Sequence, residues 1–218
     1  PDGAAGACRA RENIGVSEDN SSQNSSDDER QVNPSRPGRL TIGVIGAGRV
    51  GAVLASALRS VGHTITAVSR ASQETLDRVE VLLPGVPMLE IEEVARCCDL
   101  LLLTVPDDEL PAEATWLVNQ GAIRPGQIVL HTSGRHGIAV LEPVQAVGAI
   151  PLAVHPAMTF TGTSLDLARL EGAPFGVTAP GPFLPIGQAL VVELGGEPVV
   201  LPEAARIAYH AALSHASN

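Results

Sequence analysis

The stretch LTIGVIGAGRVGAVLASAL, residues 40–58, decides how the chain is read. An apolar run from Leu40 to Ile45 meets glycines at 46, 48 and 51. Apolar residues then recur at helical spacing through Val50, Leu54, Ala57, Leu58 and Val61. This pattern is a strand turning tightly into a helix. Gly46 allows the bend, Gly48 lets backbone approach a ligand, and Gly51 lets the helix close onto the strand. The helix start offers unpaired N–H groups and the positive end of its dipole, which suits a phosphate.

Outward from that turn, strand-like and helix-like segments alternate. Strands are expected at HTITAVSR, VPML, DLLLLTVP, QIVLHTS, IPLAVHP, PFGVTA and EPVVL. Helices are expected over 72–83, 90–97, 107–120, 135–148 and 182–194. DLLLLTVP has no polar alternation, as expected of a strand covered on both faces. The alternation predicts an α/β fold of the Rossmann type, a doubly wound and mostly parallel sheet. Residues 1–38 are expected to be a disordered tail, because SEDNSSQNSSDDER has no aliphatic residue with which to offset its ordering entropy.

Composition narrows the function. Of 218 residues, 44% are apolar and the net charge is −10, which argues against nucleic acid as the main partner. All 14 basic residues are arginine, so the chain has no Walker lysine, Schiff-base lysine or lysine acid. No apolar run reaches the ~18 residues of a membrane span, and no signal peptide precedes the first strand. A cytoplasmic enzyme is the expectation. Cys97 and Cys98, just before an apolar strand, are expected to be packing residues, and the cysteines lack zinc spacing.

The second strand bears on the ligand. An NAD site usually has an acid about 20 residues past the glycines, where it binds the ribose 2′-hydroxyl. Here AVSRAS places Ser69 and Arg70 there, with no carboxylate before Glu74, which points to the 2′-phosphate of NADP. The expected cofactor set is Gly46, Ala47, Gly48, Arg49, Val50, Gly51, Ser69 and Arg70, with Thr104, Val105 and Pro106 from LLLTVPDDEL. Two further strand ends carry candidate catalytic groups, His131 and Ser133 in VLHTSGRHG and His155 in AVHPAMTF. Ser133 lacks the GxSxG elbow, and His131, His136 and His155 lack a recognised zinc spacing, so no metal is expected.

In order and at suitable distances, IGVIGAGRVG, SR, LLLTVPDDEL, HTSG and HPAMTF resemble the Rossmann-like oxidoreductases with a DUF2520-type C-terminal domain. That family is related to ketopantoate reductase, pyrroline-5-carboxylate reductase and the 6-phosphogluconate dehydrogenase superfamily. The resemblance covers residues 40–218. It implies an NADP-binding domain over 39–201 and, over 202–218, the first helix of a helical domain that completes the substrate pocket and a homodimer. The chain is therefore expected to be truncated and weak in turnover. The superfamily's catalytic lysine and asparagine would correspond to His215 and Asn218 in HASN. The implied reaction is NADP(H)-dependent reduction of the carbonyl of a small, ketopantoate-like oxo acid. Imine or deazaflavin-linked reduction, and a silent NADP-binding sensor, are the alternatives. In the last helix Ala204, Ile207, Ala208, Ala211, Ala212 and Leu213 form much of an apolar stripe that needs a partner surface, so the helix is expected to pack on the sheet, pair with another chain or fray.

Overall fold

Among the described residues eight strands make one sheet, in which six run parallel and two run against them. The computed structural model describes residues 38–70 and 72–216, so the expected acidic tail and Asn218 lie outside the described residues. The strands are β1 (Thr41–Ile45), β2 (Thr64–Ser69), β3 (Met88–Leu89), β4 (Leu100–Leu103), β5 (Ile128–His131), β6 (Ile150–Pro156), β7 (Pro174–Thr178) and β8 (Glu197–Val200). Their order is β3-β2-β1-β4-β5-β6-β7-β8. Pairing is parallel from β3 through β6, antiparallel between β6 and β7 with Ala153 opposite Thr178, and parallel again between β7 and β8. The order reverses between β1 and β4. Sheets of this kind bind ligands at such a reversal, beyond the carboxyl ends of the strands.

Alternate side chains of each central strand feed opposite cores. In β4 all four leucines are buried, Leu100 and Leu102 on one face and Leu101 and Leu103 on the other. The first face is covered by α1 (Arg49–Ser60), α2 (Gln73–Leu82), α6 (Leu165–Arg169) and α7 (Leu184–Glu193). The second is covered by α3 (Ile91–Arg96), α4 (Leu110–Asn119) and α5 (Glu142–Ala146). The doubly wound fold expected from the alternation is present. Cys98 packs into the second core as expected, and burial pushes its thiol up to about 11, which leaves it unreactive.

Three local departures have plain causes. The helix expected over 135–148 is a 3-10 turn at Ile138–Leu141 followed by the short α5, because Pro143 is tolerated only in a first helical turn. The helix expected from 107 starts at Leu110, after a turn in which Glu109 and Leu110 donate N–H bonds to the Pro106 carbonyl. The one-turn α6 carries too short a pattern to be read from spacing.

The last helix, α8 (Arg206–Ala216), packs on the sheet, one of the expected outcomes, but not through its apolar stripe. Its supposed apolar stripe faces solvent: Ile207 is 74% exposed, and Ala204, Ala208, Ala211 and Ala212 are exposed too. Arg206, Tyr209, His210 and Leu213, spaced i, i+3, i+4 and i+7, turn inward instead. Arg206 decides this. Its guanidinium is 1% exposed and donates from Nε to Thr178 Oγ1 at 2.9 Å and from Nη1 to the Ser133 carbonyl at 3.2 Å. Nη2 donates to the carbonyls of Ala153 at 2.7 Å and Gly176 at 3.0 Å. One side chain thus clasps the loop after β5 and strands β6 and β7. Ahead of it, the Glu203 carboxylate accepts from the N–H groups of Ile138 and Ala139.

Arg206→Met strands acceptors that have no route to water. It should lower unfolding free energy by about 2–4 kcal/mol, read by urea titration. Lysine, with a point charge in place of the planar fork, should not restore the loss. Wild-type stability in either variant would remove the clasp.

Candidate functional site

The glycine turn is built by contact between β1 and β4. Gly46 has φ +84°, and a Cβ there would lie 2.8 Å from the Thr104 carbonyl oxygen. The Thr104 hydroxyl donates to the Gly46 carbonyl at 2.6 Å, and the Gly46 N–H donates to Ser69 Oγ at 3.2 Å. A Cβ on Gly51 would run into Thr104 Oγ1 and the Gly46 carbonyl. Those two glycines are required by the protein itself. Gly48 is different: a Cβ there would find its nearest atom 3.9 Å away, so the space over it is open, while its N–H turns back to the Gly46 carbonyl at 2.6 Å. The first turn of α1 has no side-chain cap and no acidic residue, and it opens with exposed Arg49. Open volume over the middle glycine and an uncapped helix start are what a dinucleotide pyrophosphate requires, so the residues present fit that group. Ala47 is buried and Val50 packs on the first core. Val105 packs against the second core, while Pro106 is exposed.

The end of β2 differs from what the sequence suggests. Ser69 is 4% exposed, and its hydroxyl is engaged by the glycine turn rather than offered to a ligand. Arg70 is exposed but bound, with Nε 2.8 Å from Glu90 Oε1. Glu90 follows β3, whose Leu89 is opposite Ser69. A carboxylate therefore stands beside β2, supplied by the neighbouring strand. Sequence spacing along β2 gave no sign of it.

Beyond β5 and β6 lies a second cluster. His131 is fully buried, accepts the Ser133 N–H at Nδ1 (3.2 Å) and places Nε2 2.9 Å from the Gly137 carbonyl. Both ring nitrogens hold its own loop, so the expected catalytic His131 is a strut. Burial, with Arg206 and His136 adding to it, pushes its pKa down to about 4. Ser133 is also committed, its hydroxyl accepting the His136 N–H and its carbonyl accepting from Arg206. Arg135 ties this loop to the one after β4 through Asp108 at 2.8 Å.

His155 is placed for chemistry. Its Nδ1 is 2.9 Å from the hydroxyl of Tyr209. Its Nε2 and the Nδ1 of His210 lie 2.8 and 2.9 Å from the point where Gly134 would carry a Cβ, so the two imidazoles meet above that glycine. They border a cavity of about 220 Å³ completed by Ala157, Met158, Thr159, Leu213 and Ser214. Burial, then the charges of Arg206 and His210, pushes His155 down to about 4. Burial likewise raises the Tyr209 phenol, against the pull of Arg206. A larger cavity, about 320 Å³, lies among Ile138, Leu184, Leu201 and Glu203, away from these strand ends. Tyr209, the chain's single tyrosine, and His210 were not among the expected site residues. Their spacing from Arg206 was the available signal. His215 is exposed on the outer side of α8, apart from the cluster, and its expected partner Asn218 lies outside the described residues. Among the described residues no His, Cys, Asp or Glu group is arranged to hold a metal, and no helix is long and apolar enough to cross a membrane.

The chain matches the Rossmann-like domain over residues 23–156 and a domain of unknown function, DUF2520, over residues 173–218. No curated protein sequence matches it. Among solved structures it is similar to a Bacteroides fragilis protein assigned as an NADP oxidoreductase, with 19% identity and TM-score 0.67 over 82% of this chain and 66% of that one. It is similar to the prephenate dehydrogenase of A. aeolicus in complex with hydroxyphenyl propionate and NAD+, with 18% identity and TM-score 0.64 over 79% and 63%. For Mycobacterium tuberculosis 3-hydroxyisobutyrate dehydrogenase the values are 16%, 0.63, 78% and 57%. The chain spans less than two thirds of each of these proteins, and at such identities the likeness is one of fold.

The two depressed histidines make stability depend on pH with a definite sign. Unfolded, each takes up a proton near 6.5, and folded near 4. Their contribution is therefore complete above about pH 6.5 and is lost as pH falls from there toward 4. At pH 5 the loss should be up to about 2 kcal/mol for each. Urea midpoints at pH 7.5 and 5 measure it, and His131→Gln should flatten the difference. An equal pH dependence in that variant would mean that His131 is not held neutral.

Proposed function

Since the chain belongs to the Rossmann-like domain family, we propose that it is an NADP(H)-dependent oxidoreductase that reduces the carbonyl of a small oxo acid. The observation that carries this reading is His155, which borders a cavity and is hydrogen-bonded to Tyr209 behind it, on the strand-end edge that also bears the open Gly48 turn. The cavity suits a small substrate, and Met158 and Leu213 give it an apolar wall. Arg206 behind it supplies positive potential that favours a carboxylate, as in a ketopantoate-like acid.

A bound nicotinamide dinucleotide supplies the hydride in such chemistry. The chain's own residues handle the oxygen. With Nδ1 accepting from the Tyr209 hydroxyl, His155 directs Nε2–H toward the cavity, where it donates to the substrate oxygen. As charge develops there, the Nε2 proton passes to the oxygen while the Tyr209 proton passes to Nδ1. The imidazole ends neutral, as it began, and the negative charge comes to rest on the phenolate. An alkoxide is far more basic than a phenolate, so the relay runs downhill. Arg206, one helical turn from Tyr209, favours the resulting charge.

Tyr209→Phe keeps the ring and removes the relayed proton. It should lower kcat with NADPH and a 2-oxo-acid panel by roughly 10²–10⁴-fold while leaving NADPH binding unchanged. An unaltered kcat would rule out the relay. Binding of NADPH without turnover of any oxo acid would favour a sensor.

A further inference from the structure

Three arginines stand near the adenosine side of the glycine turn, in different electrical states. Arg70 is held by Glu90, and Glu90 is itself fixed. It forms a capping box with Glu93 at the start of α3, its carboxylate accepting the Glu93 N–H while Glu93 accepts the Glu90 N–H at 3.1 Å. A phosphate arriving at Arg70 therefore meets an anchored negative charge.

Arg49 and Arg78 are arranged otherwise. Arg49 makes no ion pair among the described residues and sits in the first turn of α1. Arg78 of α2 has a side chain only 13% exposed, paired at 2.9 Å with Glu74, whose side chain is 82% exposed. That carboxylate belongs to a surface pair of the weak kind and can turn to water. The two arginines are brought together by a loop from the far side of the sheet. Gly162, at φ +79°, would carry a Cβ 2.7 Å from Arg78 Nε and 2.8 Å from Arg49 Cγ, so only glycine lets the loop rest between them.

The loop is firmly held. Asp166 is fully buried and accepts from the N–H groups of Thr161 and Gly162, both at 2.8 Å, and from the Thr161 hydroxyl at 3.1 Å. Arg169 pairs with Asp166 at 3.0 Å and donates to the Thr159 carbonyl at 2.9 Å. This network fixes the loop whose Gly162 rests against Arg78 Nε and the Arg49 stem at the start of α1.

We infer that Arg49 and Arg78, gathered by the Gly162 loop, receive the ribose phosphate of the dinucleotide, and that Arg70, paired with the anchored Glu90, does not. The inference rests on the NADP reading above and names the side chains that set the choice between phosphorylated and unphosphorylated cofactor. Two paired-donor cations opposed by one mobile carboxylate suit a phosphate monoester of charge near −2.

Fluorescence titrations of the full chain with NADPH and NADH test this. Arg49→Gln and Arg78→Gln should each weaken NADPH binding by roughly 10- to 100-fold, the loss of one charge-assisted phosphate contact, and leave NADH within about threefold. Arg70→Gln should change neither. Retained NADH binding reports that each variant is folded, and if Arg78→Gln loses it, exposed Arg49 carries the test. Loss of the NADPH preference in Arg70→Gln, or equal effects on both cofactors in Arg49→Gln, would overturn the assignment with the cofactor reading intact. A wild-type chain that binds both cofactors equally overturns the reading itself, and the assignment with it.

Discussion

The buried guanidinium of Arg206 is the constraint on which the second half of the molecule depends. A charge taken out of water survives only if its donors are met, and here they are met by neutral oxygens from the loop after β5 and from β6 and β7. Among the described residues no carboxylate completes the site. The parallel sheet is thereby tied to the two strands that run against it, and α8 is fixed in rotation about its own axis. Because Arg206 must point inward, so must Tyr209 and His210, one turn further on. A demand for hydrogen bonds, rather than for apolar burial, delivers the polar groups to the end of β6.

The first half rests on a different economy, that of space. Gly46 and Gly51 lack side chains because Thr104 occupies the volume that these would need. The Thr104 hydroxyl then satisfies the carbonyl that the tight turn exposes. Only Gly48 is left without a neighbour. Of the three glycines, two serve the fold and one serves whatever approaches from outside, and the same distances separate the two roles. A strand–helix turn made only for packing would have no reason to leave its middle glycine, and the helix N–H groups behind it, facing open space.

Much of this was legible in the sequence, for identifiable reasons. The fold follows from apolar runs and helical spacings, and the unbroken leucines of β4 announce burial on both faces. The glycine turn is a local motif and was read in place. What could not be read depends on neighbours far apart in the chain. Glu90 reaches Arg70 only because β3 pairs with β2, so a search along β2 finds no acid. His131 reads as a candidate base at a strand end, but its ring bonds are set by a loop that folds back onto it. In α8 an apolar stripe and a polar stripe compete for the inside. Hydrophobicity alone favours the first, and the hydrogen bonds of Arg206 choose the second. Each error came from treating a side chain as available before its nearest backbone was known.

Electrostatics links the two halves. The chain is acidic overall, yet its cations are placed so that positive potential is local. At β2 it is cancelled by Glu90, and beside α1 it is not. In the interior, burial strips a second cation of its solvation, and the charge of Arg206 close by repels it. That is why His155 and His131 are held neutral. At His155 and His131 an imidazolium acid is therefore disfavoured at neutral pH, and a proton delivered through His155 must come from a neutral donor. A phenol hydrogen-bonded to an imidazole can make that delivery without creating a second positive charge. The anion it leaves is one that Arg206 favours. The cation that fixes the helix thus also determines which kind of acid the helix can present.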